Sequence, residues 1–132
     1  MTEPAVPSAI VVDCSDPSRV AAFWQRMLGG RRVSYPELGV EALRAPGVTF
    51  DFVASPDTKR TKNRWHLDLA TDDAEATMMT AMAEGATLAA DFDRSDGFVV
   101  MRDPENNEFC ILRNSPAGAP WAPPPQAPQA TP

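Results

Sequence analysis

Short blocks of hydrophobic and polar residues divide the first half of the chain into regular elements. The β-branched run at residues 9–14 predicts a strand. Apolar residues then recur with helical spacing from Val20 to Leu28, and Asp16 followed by Pro17 is typical of a helix start. Gly29 marks the end of that helix. Three further short strands are predicted, at residues 32–35, 40–45 and 48–54.

The second half of the chain repeats this order. A strand is predicted at residues 65–70, and a second helix begins at Asp72, with Glu75 in the capping-box position, and ends at Gly85. The capping aspartates and the terminating glycines of the two helices are equally offset, which indicates an internal repeat. The sequence therefore predicts an α+β fold in which two tandem βαβββ modules form a curved mixed sheet with a cavity, the helices lying outside. The remaining predicted strands are residues 87–91, 98–102 and 108–113.

Proline content sets the expected domain boundaries. Residues 1–8 are a lead-in, residues 9–114 form the domain in modules of about 9–58 and 65–114, and residues 115–132 form a flexible Pro/Ala-rich tail. Trp121 is a lone tryptophan in that tail, and it is a candidate to pack on the domain or on a partner.

Composition narrows the function classes. The net charge of −6 and the isoelectric point near 4.6 argue against nucleic-acid binding. No apolar run approaches the roughly 20 residues of a membrane span, and the first residues do not resemble a secretory signal. We therefore expect a cytoplasmic protein that has no membrane association and keeps its two cysteines reduced.

Several short motifs occur in an order typical of one superfamily. In chain order they are Asp16-Pro17, Phe23-Trp24, Leu28-Gly29, His66-Leu67-Asp68-Leu69, Glu84-Gly85-Ala86 and the turn Asp103-Pro104-Glu105-Asn106-Asn107. With these motifs the sequence resembles the vicinal oxygen chelate superfamily, in its glyoxalase-like and bleomycin-resistance-like branch. The resemblance covers about residues 9–113 and implies the paired-module fold and a homodimer. It does not select an activity, because the fold hosts lyases, isomerases, dioxygenases and drug-binding proteins.

The resemblance also raises the question of a metal. Metal-dependent members hold a divalent ion with four side chains, typically His or Gln and Glu. The first of these positions falls on Ala9 or Ile10, which have no donor atom, and the others fall near Asp51, on His66 and on Cys110. A thiolate favours zinc over the magnesium, nickel or iron typical of the family. The sequence therefore predicts that a family-type metal centre and other cofactors are absent.

Strand alternation predicts which side chains face the cavity. Leu67 and Leu69 belong on the helix side, which leaves His66 and Asp68 facing the cavity, and the same alternation applies to the other strands. Glu108 is expected near the rim and Trp65 at the mouth. The predicted ligand-binding residues are Asp13, Asp51, Trp65, His66, Asp68, Glu108 and Cys110.

Three of these residues are candidates for chemistry. His66 is the only histidine and is either a general base or a hydrogen-bonded structural residue. Asp68 could orient His66, bind a cationic ligand or serve as a structural carboxylate. Cys110 is either a nucleophile beside His66 or a buried apolar residue. We therefore take His66 and Cys110 as the catalytic candidates.

The leading functional hypothesis is a glyoxalase-like protein that binds a polar or cationic organic molecule without an essential metal, as in the drug-binding members it resembles. The alternative is a lyase or isomerase of the glyoxalase type that uses His66 as general base, with or without a divalent metal. A third hypothesis is an interaction module whose cavity is filled and whose tail carries the function.

Overall fold

The computed structural model describes residues 4–89 and 97–113. These residues form two compact units: one contains residues 4–61 and the turn 103–106, and the other contains the remaining described residues. Each unit holds one helix and one four-stranded mixed sheet. This confirms the predicted α+β class and the βαβββ order of both modules. Neither described helix is long and apolar enough to cross a membrane.

The first unit follows the predicted element order closely. In the sheet order β1-β4-β3-β2, β1 and β4 are parallel and the other neighbours are antiparallel. The predicted bounds of β3 and β4 are confirmed, and a 3-10 turn that was not predicted separates β2 from β3. The elements are β1 Ile10–Cys14, α1 Pro17–Leu28, β2 Arg31–Tyr35, β3 Val40–Ala45 and β4 Val48–Ala54.

Helix α1 begins and ends where its local signals predict. Asp16 is the N-cap, and its Oδ1 accepts a hydrogen bond from the backbone N–H of Arg19 at 3.1 Å. Gly29 closes the helix at a positive φ of 76°. The buried face of α1 packs on β3 and β4, where Trp24 stacks on Phe50 with ring centroids 6.0 Å apart. Burial of this aromatic face stabilises the first unit.

The first strand of the second unit is shorter than the sequence predicts. The sheet order of this unit is β5-β8-β7-β6, with β5 parallel to β8. The predicted bounds of β7 are confirmed. The strand predicted at residues 65–70 is reduced to the two residues of β5, so His66 precedes the strand instead of belonging to it. The predicted end of β6, and the tail with Trp121, lie outside the described residues. The elements are β5 Asp68–Leu69, α2 Ala74–Ala83, β6 Thr87–Leu88, β7 Phe98–Arg102 and β8 Glu108–Leu112.

The predicted N-cap of α2 is wrong. Asp73, not Asp72, caps the helix, because its Oδ1 accepts a hydrogen bond from the backbone N–H of Ala76 at 3.0 Å. This shift takes Glu75 out of the capping-box position, and its carboxylate pairs with Arg113 instead. The C-cap is Glu84, so the equal offsets expected between the helices do not hold, although the order of elements repeats. The repeat is therefore one of topology rather than of residue spacing.

Helix α2 is less deeply packed than α1. Of its residues only Ala81 is buried, and Met82 is exposed. The helix is apolar around most of its circumference, so no single stripe directs it onto the sheet. Its contact with the sheet is made mainly on β8.

Candidate ligand site on the second unit

Pairing of β5 with β8 brings three of the predicted site residues together. Asp68 lies opposite Cys110 in the ladder, and the backbone N–H of Cys110 donates to the carbonyl of Leu67 at 2.9 Å. His66 Nε2 lies 3.2 Å from Asp68 Oδ1. One ligand atom from each of His66, Asp68 and Cys110 lies within 4.8 Å of the other two. The alternation predicted from the sequence therefore places these three side chains in one cluster.

The members of this cluster differ in exposure. The side chains of His66 and Asp68 are 38% and 45% exposed, so both are accessible to a ligand. Cys110 is buried in an apolar cluster with Ala89 and Val100. The site thus has a polar, open side and an apolar, closed side.

Burial controls the chemistry of the Cys110 thiol. Burial, followed by the charge and hydrogen bonding of Asp68, raises the pKa of the thiol from 9.0 to about 12, while the charge of Lys62 acts in the opposite direction. The thiol therefore stays protonated at neutral pH, where only a thiolate is a good nucleophile. Among the two catalytic candidates, this environment favours His66.

Asn63 fastens the loop before His66 to the sheet. Its Oδ1 accepts a hydrogen bond from the backbone N–H of Glu108 at 2.9 Å, and its Nδ2 donates to the carbonyl of Glu108 at 3.2 Å. Nδ2 also donates to the carbonyl of Trp65. The side-chain amide thus replaces a strand residue beside β8, which explains why β5 begins only at Asp68. Sequence reasoning missed Asn63, because it lies in a basic stretch typical of a solvated linker.

Glu108 is buried rather than exposed at a rim. Its side chain is 4% exposed, because its carboxylate accepts hydrogen bonds from the backbone N–H of Asn63 at 3.1 Å and from Arg102 Nε at 3.4 Å. A carboxylate at this depth needs such partners to offset its lost hydration. Glu108 therefore supports the loop that carries His66.

The other predicted ligand residues occupy different places. Trp65 directly precedes His66 and is 89% exposed. Asp13 and Asp51 belong to the first unit, where alternation places them on the sheet face opposite Phe50 and Phe52. Their participation in a ligand site remains a prediction.

The residues present do not fit a family-type metal centre. The first ligand position falls on Ala9 or Ile10, which offer no donor, and the last falls on a buried thiol. The three donors that do come together are an imidazole nitrogen, a carboxylate oxygen and a sulfur atom, all in the second unit. This donor set differs from the His, Gln and Glu set that the resemblance implies.

Comparison with solved structures shows the same fold in proteins of low sequence identity. FosX, a genomically encoded fosfomycin resistance protein from Listeria monocytogenes, is 14% identical with a TM-score of 0.67, over 86% of this chain and 94% of that chain. A variant of FosX complexed with Mn(II) and a dihydroxypropylphosphonic acid is 14% identical with a TM-score of 0.66, and the match covers 83% of this chain and 90% of that chain. A glyoxalase/bleomycin resistance protein/dioxygenase family enzyme from Burkholderia phytofirmans is 22% identical with a TM-score of 0.65, and the match covers 80% of this chain and 96% of that chain.

Sequence comparison identifies the family. No curated protein sequence matches this chain significantly. The family described as the glyoxalase-like domain matches residues 9–112, which is most of the chain. The chain therefore belongs to the glyoxalase-like domain family.

Proposed function

We propose that the protein binds a small polar or cationic organic molecule at the cluster of His66, Asp68 and Cys110, without an essential metal. The observation that carries this proposal is the pair of accessible polar side chains at 3.2 Å, His66 and Asp68, beside a buried apolar wall. A carboxylate of this kind accepts charge-assisted hydrogen bonds from an ammonium or guanidinium group.

Neighbouring residues support a site for an organic ligand. The exposed indole of Trp65 offers a flat surface on which a cationic or apolar group can stack. Relatives named for fosfomycin or bleomycin resistance make a drug-like or metabolite-like ligand a reasonable class to test.

A thermal-shift screen of cationic and neutral metabolites tests this proposal, because a ligand that prefers the native state raises the melting temperature. We expect the shift to be lost in Asp68→Asn and retained in Glu37→Gln, which changes an exposed carboxylate of the first unit. A chelator should leave the shift unchanged. Equal shifts in Asp68→Asn and wild type would contradict the proposed site.

A second candidate function is a lyase or isomerase in which His66 acts as general base. It is favoured by the position of Asp68, whose Oδ1 faces His66 Nε2 and can orient the imidazole ring. Once a ligand has been identified, His66→Gln should abolish turnover of that ligand and leave its binding nearly intact. Ligand binding with no product detectable by NMR would exclude this function for that ligand.

A homodimer and a cytoplasmic location are further parts of the proposal. They are supported by the family resemblance and by the acidic composition that the sequence shows. Sedimentation velocity at micromolar concentration tests the dimer directly. A monomeric mass under those conditions would contradict it.

A further inference from the structure

We propose that the C-terminal tail docks the side chain of Trp121 on an exposed apolar face of helix α2 in the same chain. This methionine face consists of Ala76, Met79, Met82 and Ala83. The inference goes beyond the proposed function, because none of these residues belongs to the proposed ligand site. It rests on the exposure of the face, on the place where the described chain ends and on the composition of the tail.

The methionine face is an uncharged surface on the outside of α2. Met79 and Met82 are 65% and 44% exposed, and Ala76 and Ala83 are exposed beside them. Residues three, four and seven apart share one side of a helix, and the buried Ala81 lies on the opposite side. No charged residue occurs from Ala76 to Ala83. An apolar helix face of this kind is a typical contact surface.

The last described residue lies beside the first turn of α2. Strand β8 ends at Leu112, and the guanidinium group of Arg113 pairs with the carboxylate of Glu75. Glu75 is four residues before Met79 and therefore lies on the same side of the helix. The tail, residues 115–132, thus begins close to the N-terminal end of the methionine face.

The tail is long enough to reach this face. Trp121 is eight residues beyond Arg113, and a proline-rich segment of that length spans about 25 Å when extended. The distance along the helix axis from Glu75 to Met82 is only about 10 Å. The excess length allows the chain to turn, and Gly118 permits the backbone conformations that a turn requires.

The composition of the tail suits an apolar partner. Residues 115–132 contain no charged residue, and Trp121 is their only aromatic residue. An indole ring makes favourable contacts with the thioether groups of methionine. The prolines restrict the tail before it docks, which lowers the entropy lost on docking. A covalently attached segment also has a high effective concentration, which favours this tail over a separate protein or a second copy.

Methionine methyl signals test the contact, because an indole ring shifts methyl protons above its face upfield. The full chain, labelled with ¹³C in its six methionine methyl groups, is compared with Trp121→Ala. We expect this variant to move the Met79 and Met82 signals downfield and to leave the signal of Met101, which is buried in β7, in place. Gln126→Ala, a change in the same tail, should move none of them. Substitution of each methionine by leucine assigns the signals.

A mixed sample identifies which chain supplies the indole. Labelled Trp121→Ala is combined with an excess of unlabelled wild type, and its Met79 and Met82 signals should not move. Movement of these signals would show that a second copy covers the face, and it would overturn the proposal. Identical Met79 and Met82 signals in wild type and Trp121→Ala would also overturn it. Circular dichroism confirms that the variant keeps its fold.

Discussion

The indole of Trp24 donates a hydrogen bond through Nε1 to Oδ2 of Asp103 at 2.9 Å, and both side chains are buried. The other carboxylate oxygen of Asp103 accepts a bond from the backbone N–H of Glu105 at 2.8 Å. One carboxylate thus shapes the turn 103–106 and ties it to the aromatic core of the first unit. The Asp-Pro turn, which contributes to the family resemblance, therefore has a structural role.

Asp103→Ala should lower the free energy of unfolding by about 2–3 kcal/mol, because it leaves the buried indole N–H of Trp24 without this acceptor and removes a turn contact. Urea denaturation measures the change. Asp103→Asn, which keeps one carbonyl acceptor, should cost less. An Asp103→Ala change smaller than about 0.5 kcal/mol, the range of neutral surface substitutions, would contradict this role.

Gly30→Ala should destabilise the protein more than Gly29→Ala. Both glycines have positive φ, which costs about 1–2 kcal/mol for an L-residue. A Cβ at Gly30 would lie 2.4 Å from the carbonyl oxygen of Arg44, whereas a Cβ at Gly29 would meet nothing within 4 Å. Thermal or urea denaturation of the two variants isolates the steric contribution, and equal losses of stability would show that the backbone approach at Gly30 is unimportant.

Asn63→Ala should loosen the loop that carries His66. The Glu108 N–H loses its bond to Asn63 Oδ1, so its amide hydrogen should exchange faster with solvent. The β7–β8 ladder does not depend on Asn63, and the amide of Ile111 should be unaffected. Thr61→Ala, at an exposed position nearby, serves as the control. Unchanged exchange at Glu108 would mean that Asn63 does not hold the loop.

Cys14 should make the protein less stable at alkaline pH. Burial, followed by the charges of Glu105 and Asp103, raises the pKa of its thiol from 9.0 to about 12. Between these values the unfolded chain releases a proton that the folded protein retains, so the free energy of unfolding falls as pH rises. The stability advantage of wild type over Cys14→Ala should therefore shrink between pH 9.0 and about 12 in urea denaturation. A constant difference across this range would contradict the assignment.

Local sequence signals predict the elements whose ends depend on local contacts. The Asp16 cap and Gly29 terminus of α1 follow from such signals, as do the bounds of β3, β4 and β7. Asp72 and Asp73 are adjacent and chemically identical, so the sequence could not show which one reaches the helix N–H groups. The shortened β5 results from Asn63, which contacts a residue distant in sequence.

The candidate site also combines features that local sequence patterns predict with features that depend on contacts between distant residues. Period-two alternation is a local property, and the ligand atoms of the three residues that it groups, His66, Asp68 and Cys110, lie within 4.8 Å of one another. The burial of Glu108 depends on Arg102 and Asn63, and the role of Asp103 depends on Trp24, so neither could be predicted from the strand pattern. The thiol chemistry of Cys110 likewise follows from its surroundings.

The proposed function requires an organic ligand to bind at His66. Because the chain has a single histidine, its imidazole gives one set of side-chain nitrogen signals in a ¹H–¹⁵N spectrum. A molecule that raises the melting temperature should shift those signals progressively, with the same dissociation constant as the thermal effect. Imidazole signals that stay in place while such a molecule saturates the protein would contradict the claim.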